Sequence, residues 1–127
     1  MKLAYVDTSF VVAVALGEKG ASRHAARLGR FQRLISSNLM EAELRAALAR
    51  EEVDSDPAPL LSWFHWVHPD RPLSREFHEV LAAGHVRGAD LWHLACALFL
   101  KASLGDLTFL TLDRPQQAVA KSLGFRA

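Results

Sequence analysis

The fold is decided by residues 3–9, Leu-Ala-Tyr-Val-Asp-Thr-Ser, and by the apolar run that follows them from Phe10 to Leu16. The four leading residues are typical of a buried strand, and the acid and two hydroxyl residues behind them are typical of a turn. The apolar run up to Gly17 then predicts a helix. A strand that passes through a short turn into a helix is the repeating unit of sheets built from parallel strands.

The rest of the chain repeats this alternation of short strands and helices. Strands are predicted over residues 33–36, 66–68 and 108–112, and helices over residues 21–31, 38–52, 74–86, 89–103 and 113–123, with a helical turn at residues 60–64. This order predicts one α/β domain over residues 1–127, with three layers, α/β/α, around a short, mainly parallel central sheet. Such sheets bind ligands at the carboxyl ends of their strands, near the point where the strand order reverses.

Composition places the chain among globular proteins. Half of its 127 residues are apolar and 23% are charged, so it can bury a core, unlike the weakly apolar, highly charged chains that stay disordered. The single cysteine, Cys96, excludes an intrachain disulfide, and its apolar neighbours predict a buried side chain. No apolar stretch approaches the roughly 20 residues that span a membrane. We therefore expect a cytoplasmic protein without membrane contact.

Three aspartates lie at the starts of predicted helices. Asp7 ends the first strand and Asp113 follows the last one, so both are expected at the same rim of the sheet. Asp90 opens the most apolar helix. Each has a plain alternative role, because an Asp at the start of a helix commonly caps it or interacts favourably with its dipole. Two acids at equivalent strand ends make shared chemistry the better interpretation.

Two glutamates on one predicted helix differ in their neighbours. Glu41 has Arg45 four residues further on, so an exposed ion pair explains it. Glu43 instead has apolar residues at the same helical spacings, among them Leu39 and Ala47. A carboxylate on an apolar flank needs a partner or loses its charge, so Glu43 is the better candidate for a functional site.

Four carboxylates from separate segments would repel one another unless a cation joined them, and without that cation some of their pKa values should rise. The four are Asp7, Glu43, Asp90 and Asp113. Carboxylate oxygens select Mg²⁺ or Mn²⁺ rather than zinc. Such ions keep bound water, which can attack a phosphodiester bond. The acidic residues therefore favour a metal-dependent enzyme that acts on phosphate esters.

Four segments of the chain resemble the acidic motifs of PIN-domain ribonucleases and, more narrowly, those of the VapC toxins of bacterial and archaeal toxin–antitoxin pairs. The segments are residues 5–9, 37–44, 87–95 and 110–114. In order and spacing the resemblance covers essentially the whole chain. It implies a three-layer PIN-like fold and a metal-dependent endoribonuclease that cleaves RNA phosphodiester bonds as a toxin. It also implies a homodimer and a cognate antitoxin protein.

The same resemblance implies roles for individual residues. Polar support is implied for Thr8 and Thr111. Catalysis and the binding of Mg²⁺ or Mn²⁺ are implied for Asp7, Glu43, Asp90 and Asp113. His93 lies one turn beyond Asp90, and we interpret it as a supporting or packing residue rather than as a general base.

Two other functions stay open at this point. A strand that ends in Asp7-Thr8 could present the aspartyl nucleophile of a phosphatase or phosphotransferase, although Ser9 stands where a second acid would often be expected. The second alternative is a non-catalytic PIN-like binding module that has kept the carboxylates. Cleavage of RNA in the presence of Mn²⁺ would separate the nuclease from both.

A basic face is predicted on the second helix. Arg23, Arg27 and Arg30 recur at the spacing of one helical face, which suits RNA phosphates or an acidic partner segment, although such a face can also be merely solvated. The aromatic residues at positions 63, 64 and 66 are interpreted as core or as a homodimer face.

Overall fold

The structure, a computed structural model, describes residues 2–127. They form four strands and seven helices, in the following order along the chain: β1 (Leu3–Val6), α1 (Thr8–Ala15), α2 (Ala21–Leu28), β2 (Arg33–Ser37), α3 (Asn38–Arg50), α4 (Ala58–Leu61), β3 (Phe64–Val67), α5 (Ser74–Ala83), α6 (Gly88–Leu104), β4 (Thr108–Leu110) and α7 (Arg114–Ser122).

The four strands form one parallel sheet in the order β3-β2-β1-β4. Tyr5 in β1 pairs with Ile35 in β2 and with Phe109 in β4. The chain places β2 and β3 on one side of β1 and returns to place β4 on the other side. The strand order therefore reverses beside β1, and the carboxyl ends of β1 and β4 flank the crevice where sheets of this kind bind ligands.

Side chains alternate between the two faces of the sheet, and each face packs against its own layer of helices. Leu3 and Tyr5 belong to a core with residues of α5, α6 and α7, including the buried Cys96. Ala4 and Val6 belong to a second core with residues of α1, α2, α3 and α4. The predicted three-layer α/β/α fold with a parallel central sheet is confirmed.

The edge strand β3 differs from the prediction. It runs from Phe64 to Val67 rather than over residues 66–68, and the helical turn before it ends at Leu61. Phe64 is buried and pairs with Leu34 of β2, which sets the register of the strand. The aromatic residues therefore separate, because Phe64 lies in the core whereas Trp63 keeps 51% of its surface exposed.

The last strand and the fifth helix are both shorter than predicted. β4 ends at Leu110, because the hydroxyls of Thr111 and Ser9 take up the next backbone N–H groups in place of a sheet partner. α5 ends at Ala83, before the extended Gly84. Within the part of the chain that the structure describes, we find no helix with the length and apolar character needed to cross a membrane.

Candidate active site

Asp7 and Asp113 lie at the crevice between β1 and β4. Asp7 follows β1 directly, and its backbone N–H donates to the carbonyl of Leu110 at the end of β4, over 2.9 Å. Its side chain also caps α1, because it accepts the backbone N–H of Ser9. Asp113 precedes α7, but its side chain makes no capping hydrogen bond. Helix capping thus explains one contact of the Asp7 side chain, and it does not explain the Asp113 carboxylate.

The two carboxylate oxygens of Asp7 have different surroundings. Oδ2 accepts the hydroxyl of Ser9 at 2.7 Å and lies 3.1 Å from the hydroxyl of Thr111. Among residues 2–127, the hydrogen-bond donor to Oδ1 is the amide of Gln116 at 3.3 Å, and Nε2 of His93 lies 3.9 Å away from it. Oδ2 is therefore occupied by protein donors, and Oδ1 is the oxygen that remains available to a ligand.

Two supporting residues, Ser9 and Gln116, have no predicted role in the sequence. Gln116 is fully buried in α7, and its Oε1 accepts the hydroxyl of Thr111 at 2.7 Å. The sequence does indicate that Gln116 is buried, because it stands three and four residues before the buried Val119 and Ala120 and thus shares their helical face. The Thr111 hydroxyl lies close to both Asp7 and Gln116, and its supporting role stays a prediction.

Glu43 of α3 is drawn towards the start of α1 and α6. Its Oε1 accepts the hydroxyl of Thr8 at 2.7 Å and lies 2.9 Å from Nε2 of His93. The hydrogen bond with His93 is the main cause that lowers the pKa of Glu43, against the opposing effect of partial burial. Glu41 behaves as predicted, since it forms an ion pair with Arg45 at 2.7 Å.

A chain of hydrogen bonds fixes the ring of His93, which is almost completely buried. The backbone N–H of Ser37 donates to the Tyr5 hydroxyl at 3.2 Å, and that hydroxyl lies 2.7 Å from Nδ1 of His93. If the Tyr5 hydroxyl donates to Nδ1, the ring proton is on Nε2 and points to Glu43. Burial raises the pKa of Tyr5 well above its ordinary value, so the hydroxyl keeps its proton. The predicted supporting role of His93 agrees with this geometry.

Asp90 lies in the first turn of α6, where the helix dipole favours an acid. Its pKa is nevertheless raised to about 6, first by burial and then by the charges of Asp7 and Asp113, and proximity to the Asp113 carboxyl adds to the rise. The three aspartates therefore share one electrostatic environment, and the expected rise in pKa is found at Asp90. Glu43 shows the opposite shift because it has donors of its own.

The acids do not form a closed metal cage. Within residues 2–127, no three His, Cys, Asp or Glu side chains lie in an arrangement ready to hold a metal ion. Asp7 and Glu43 instead contact donors of the protein. The donor set nevertheless fits Mg²⁺ or Mn²⁺, since it consists of carboxylate oxygens.

The predicted basic face lies away from these acids. Arg23, Arg27 and Arg30 are all exposed. Arg27 and Arg30 line a cleft with Lys2 and Thr108, which precede or begin β1 and β4 and so mark the opposite end of the sheet. Arg23 does not line this cleft.

A comparison with protein families identifies the chain over most of its length. The family model described as PIN domain matches residues 4–122. No curated protein and no solved structure matches the chain.

Proposed function

The chain belongs to the PIN domain family, and from this premise we propose that it is a metal-dependent endoribonuclease, the toxin of a toxin–antitoxin pair. PIN domains are generally nucleases that use divalent metal ions and bind nucleic acid. The finer parts of the proposal, namely RNA as substrate, Mg²⁺ or Mn²⁺ as cofactor and the role of toxin, rest on the acidic residues and on the resemblance of the four motifs.

The observation that supports the proposal most directly is the environment of Asp90. Burial raises its pKa first, and the negative charges of Asp7 and Asp113 at the crevice between β1 and β4 raise the pKa further. An excess of carboxylates at a ligand-binding crevice is a site that a divalent cation would stabilise. We propose that Asp7, Asp90 and Asp113 hold the ion, and that Glu43 completes the site.

Each carboxylate has a role that follows from its partners. The amide of Gln116 and the hydroxyl of Ser9 donate to the Asp7 carboxylate, with the Thr111 hydroxyl 3.1 Å from Oδ2, so that Oδ1 is directed towards the site. Thr8 and His93 keep Glu43 ionised through Oε1. Its Oε2 has no hydrogen-bond partner among residues 2–127 and can accept a proton from an attacking water. A bound divalent ion would supply Lewis-acid activation of water and of the phosphate.

The geometry gives less support to a phosphatase. An aspartyl nucleophile needs a free oxygen in line with phosphorus, whereas Oδ2 of Asp7 is taken by Ser9 and Thr111. Oδ1 is left, and Nε2 of His93 lies 3.9 Å from it. Trapping with beryllofluoride tests this alternative, because a nuclease forms no aspartyl adduct.

The proposed partners are an antitoxin protein and a second copy of the chain. They follow from the resemblance to toxins of toxin–antitoxin pairs. The exposed Trp63 and Leu81 are large apolar side chains that a partner could cover. Light scattering of the purified protein measures the homodimer directly, and a monomer at micromolar concentration would remove that part of the proposal.

The proposed activity is tested by incubating the purified protein with total cellular RNA. We expect discrete cleavage products in Mn²⁺ and intact RNA in EDTA. Mapping of the new ends identifies the cut sites. Intact RNA under both conditions would favour the non-catalytic binding module.

A further inference from the structure

A cleft with a basic lining lies at the amino ends of β1 and β4, at the opposite end of the sheet from the acids. Its volume is about 450 Å³. The cationic side chains in its lining are Lys2, Arg27, Arg30 and Arg126, and Asp106 is the acidic side chain among them. The strands between the two ends make the cleft a separate surface, about 17 Å from Asp7 at about 3.3 Å per residue of strand.

Three of the four cationic side chains in this cleft form no ion pair within residues 2–127. Asp106 forms an ion pair with Arg126 at 3.2 Å. Within residues 2–127, no acidic group lies within 4.0 Å of the cationic atoms of Lys2, Arg27 or Arg30. Three cations that share a concave surface repel one another, and a polyanion that binds them removes this repulsion.

We propose that this cleft is a second RNA-binding site, which holds the phosphodiester backbone of the substrate away from the bond that is cut. The proposal rests on the proposed endoribonuclease function, because that function supplies RNA as the ligand. The side chains of Lys2, Arg27 and Arg30 contact phosphates.

An aromatic ring in the same cleft favours RNA over an acidic protein segment. Phe31 is partly exposed, lines the cleft, and has the ammonium group of Lys2 5.7 Å from its ring centroid. Cations beside an aromatic ring match a nucleotide, which carries a phosphate and a flat base, and single-stranded nucleic acids are bound by this combination. An acidic peptide would use the charges but offers no base to stack on the ring.

The test compares two triple variants that lose the same charge. One carries Lys2→Gln, Arg27→Gln and Arg30→Gln. The control carries Arg50→Gln, Arg75→Gln and Lys121→Gln, three exposed positions outside the cleft. All six side chains are on the surface, so both variants should fold, which thermal melts verify. Binding of a labelled 30-nucleotide single-stranded RNA is measured by fluorescence anisotropy in EDTA, where no cleavage occurs, over a range of salt concentrations.

The cleft variant is expected to bind the long RNA at least about 10-fold more weakly than the control variant. Its slope of log affinity against log salt should fall by about 2, at about 0.7 for each lost phosphate contact. A dinucleotide is too short to reach both ends of the sheet, so its rate of cleavage in Mn²⁺ should be the same in both variants.

Several results would overturn the second site. They are equal affinities and salt slopes in the two variants, slower dinucleotide cleavage by the cleft variant than by the control variant, or displacement of the long RNA by a glutamate peptide of the same charge as effectively as by unlabelled RNA. The nuclease function is tested separately and fails if the wild-type protein does not cleave RNA in Mn²⁺. The binding measurement in EDTA tests whether the cleft binds RNA.

Discussion

The Tyr5 hydroxyl lies 2.7 Å from Nδ1 of His93, although the two residues are 88 positions apart in the chain. β1 provides Tyr5 and α6 provides His93, so this contact ties the central strand to the helix that also provides Asp90. With Nδ1 occupied, the Nε2–H of His93 is left to donate to Glu43. The orientation of an acid at the rim of the sheet thus depends on a fully buried phenol.

Tyr5→Phe is expected to impair the site while preserving the fold. The variant removes the donor to Nδ1, so the ring can take the other tautomer or rotate, and Glu43 loses its fixed partner. Supporting hydrogen bonds around metal sites contribute about 10- to 100-fold to affinity or activity. We expect a fall of about 10-fold in Mn²⁺ affinity by calorimetry and in kcat, with little change in the KM for RNA. Unchanged Mn²⁺ affinity would restrict Tyr5 to packing.

Glu43→Gln should abolish RNA cleavage, and Glu41→Gln should leave it within a few-fold of wild type. The amide oxygen introduced by Glu43→Gln can still accept hydrogen bonds from Thr8 and His93, so the loss would report charge rather than structure. Glu41 serves as the matched control, because it is on the same helix and its partner is Arg45. Similar losses of cleavage rate in the two variants would mean that Glu43 has no special role.

The metal-free protein should become more stable on mild acidification through Asp90. Its folded-state pKa of about 6 lies above the ordinary value of 3.8, so the stabilisation is fully present below 3.8 and is lost as pH rises through 6. Because the group is only partly buried, we expect about 1 kcal/mol between pH 7.5 and pH 5. The lowered pKa values of Glu43 and Glu76 affect stability only near and below their ordinary 4.5.

Urea unfolding in EDTA at the two pH values measures this difference. Asp90→Asn should remove the gain on acidification and should raise stability at pH 7.5. The exposed Asp54→Asn is the control and should keep the wild-type dependence. A gain that persists unchanged in Asp90→Asn would assign the titration to another group.

Gly84→Ala should destabilise the protein by about 1–3 kcal/mol, as overpacking does in a filled core. A Cβ at this position would lie 2.7 Å from Cγ2 of Val119, a stiff buried side chain of α7. Gly88→Ala is the matched control, because a Cβ there would meet no atom within 4 Å. Thermal unfolding measures the stability of the two variants. Equal melting temperatures would show that α5 and α7 can separate freely.

The fold and the positions of the acids were predictable from local patterns. Short apolar strands followed by helices determine a parallel sheet, and an acid directly behind a strand must lie at its carboxyl end, as Asp7 does. Glu43 was separable from Glu41 because its neighbours on the helix are apolar. These inferences need only the period of a helix and the direction of a strand.

The parts that could not be predicted depend on tertiary placement. Periodicity groups Arg23, Arg27 and Arg30 on one face, but only the packing of α2 shows that Arg27 and Arg30 reach the cleft and Arg23 does not. The register of β3 could not be predicted either, because any of the aromatic residues at positions 63, 64 and 66 could have entered the core. Pairing with β2 selects Phe64.

The central claim is tested most directly by the rate of cleavage of one defined RNA by wild type and by Asp113→Asn, each with Mn²⁺ and with EDTA. Asp113 is the appropriate position because its side chain caps no helix, so its loss should not disturb the fold. We predict cleavage by wild type in Mn²⁺ alone, with the rate of Asp113→Asn reduced at least about 100-fold, the scale on which the loss of a group that stabilises the transition state acts. Equal rates for the two proteins, or cleavage by wild type that survives EDTA, would contradict it.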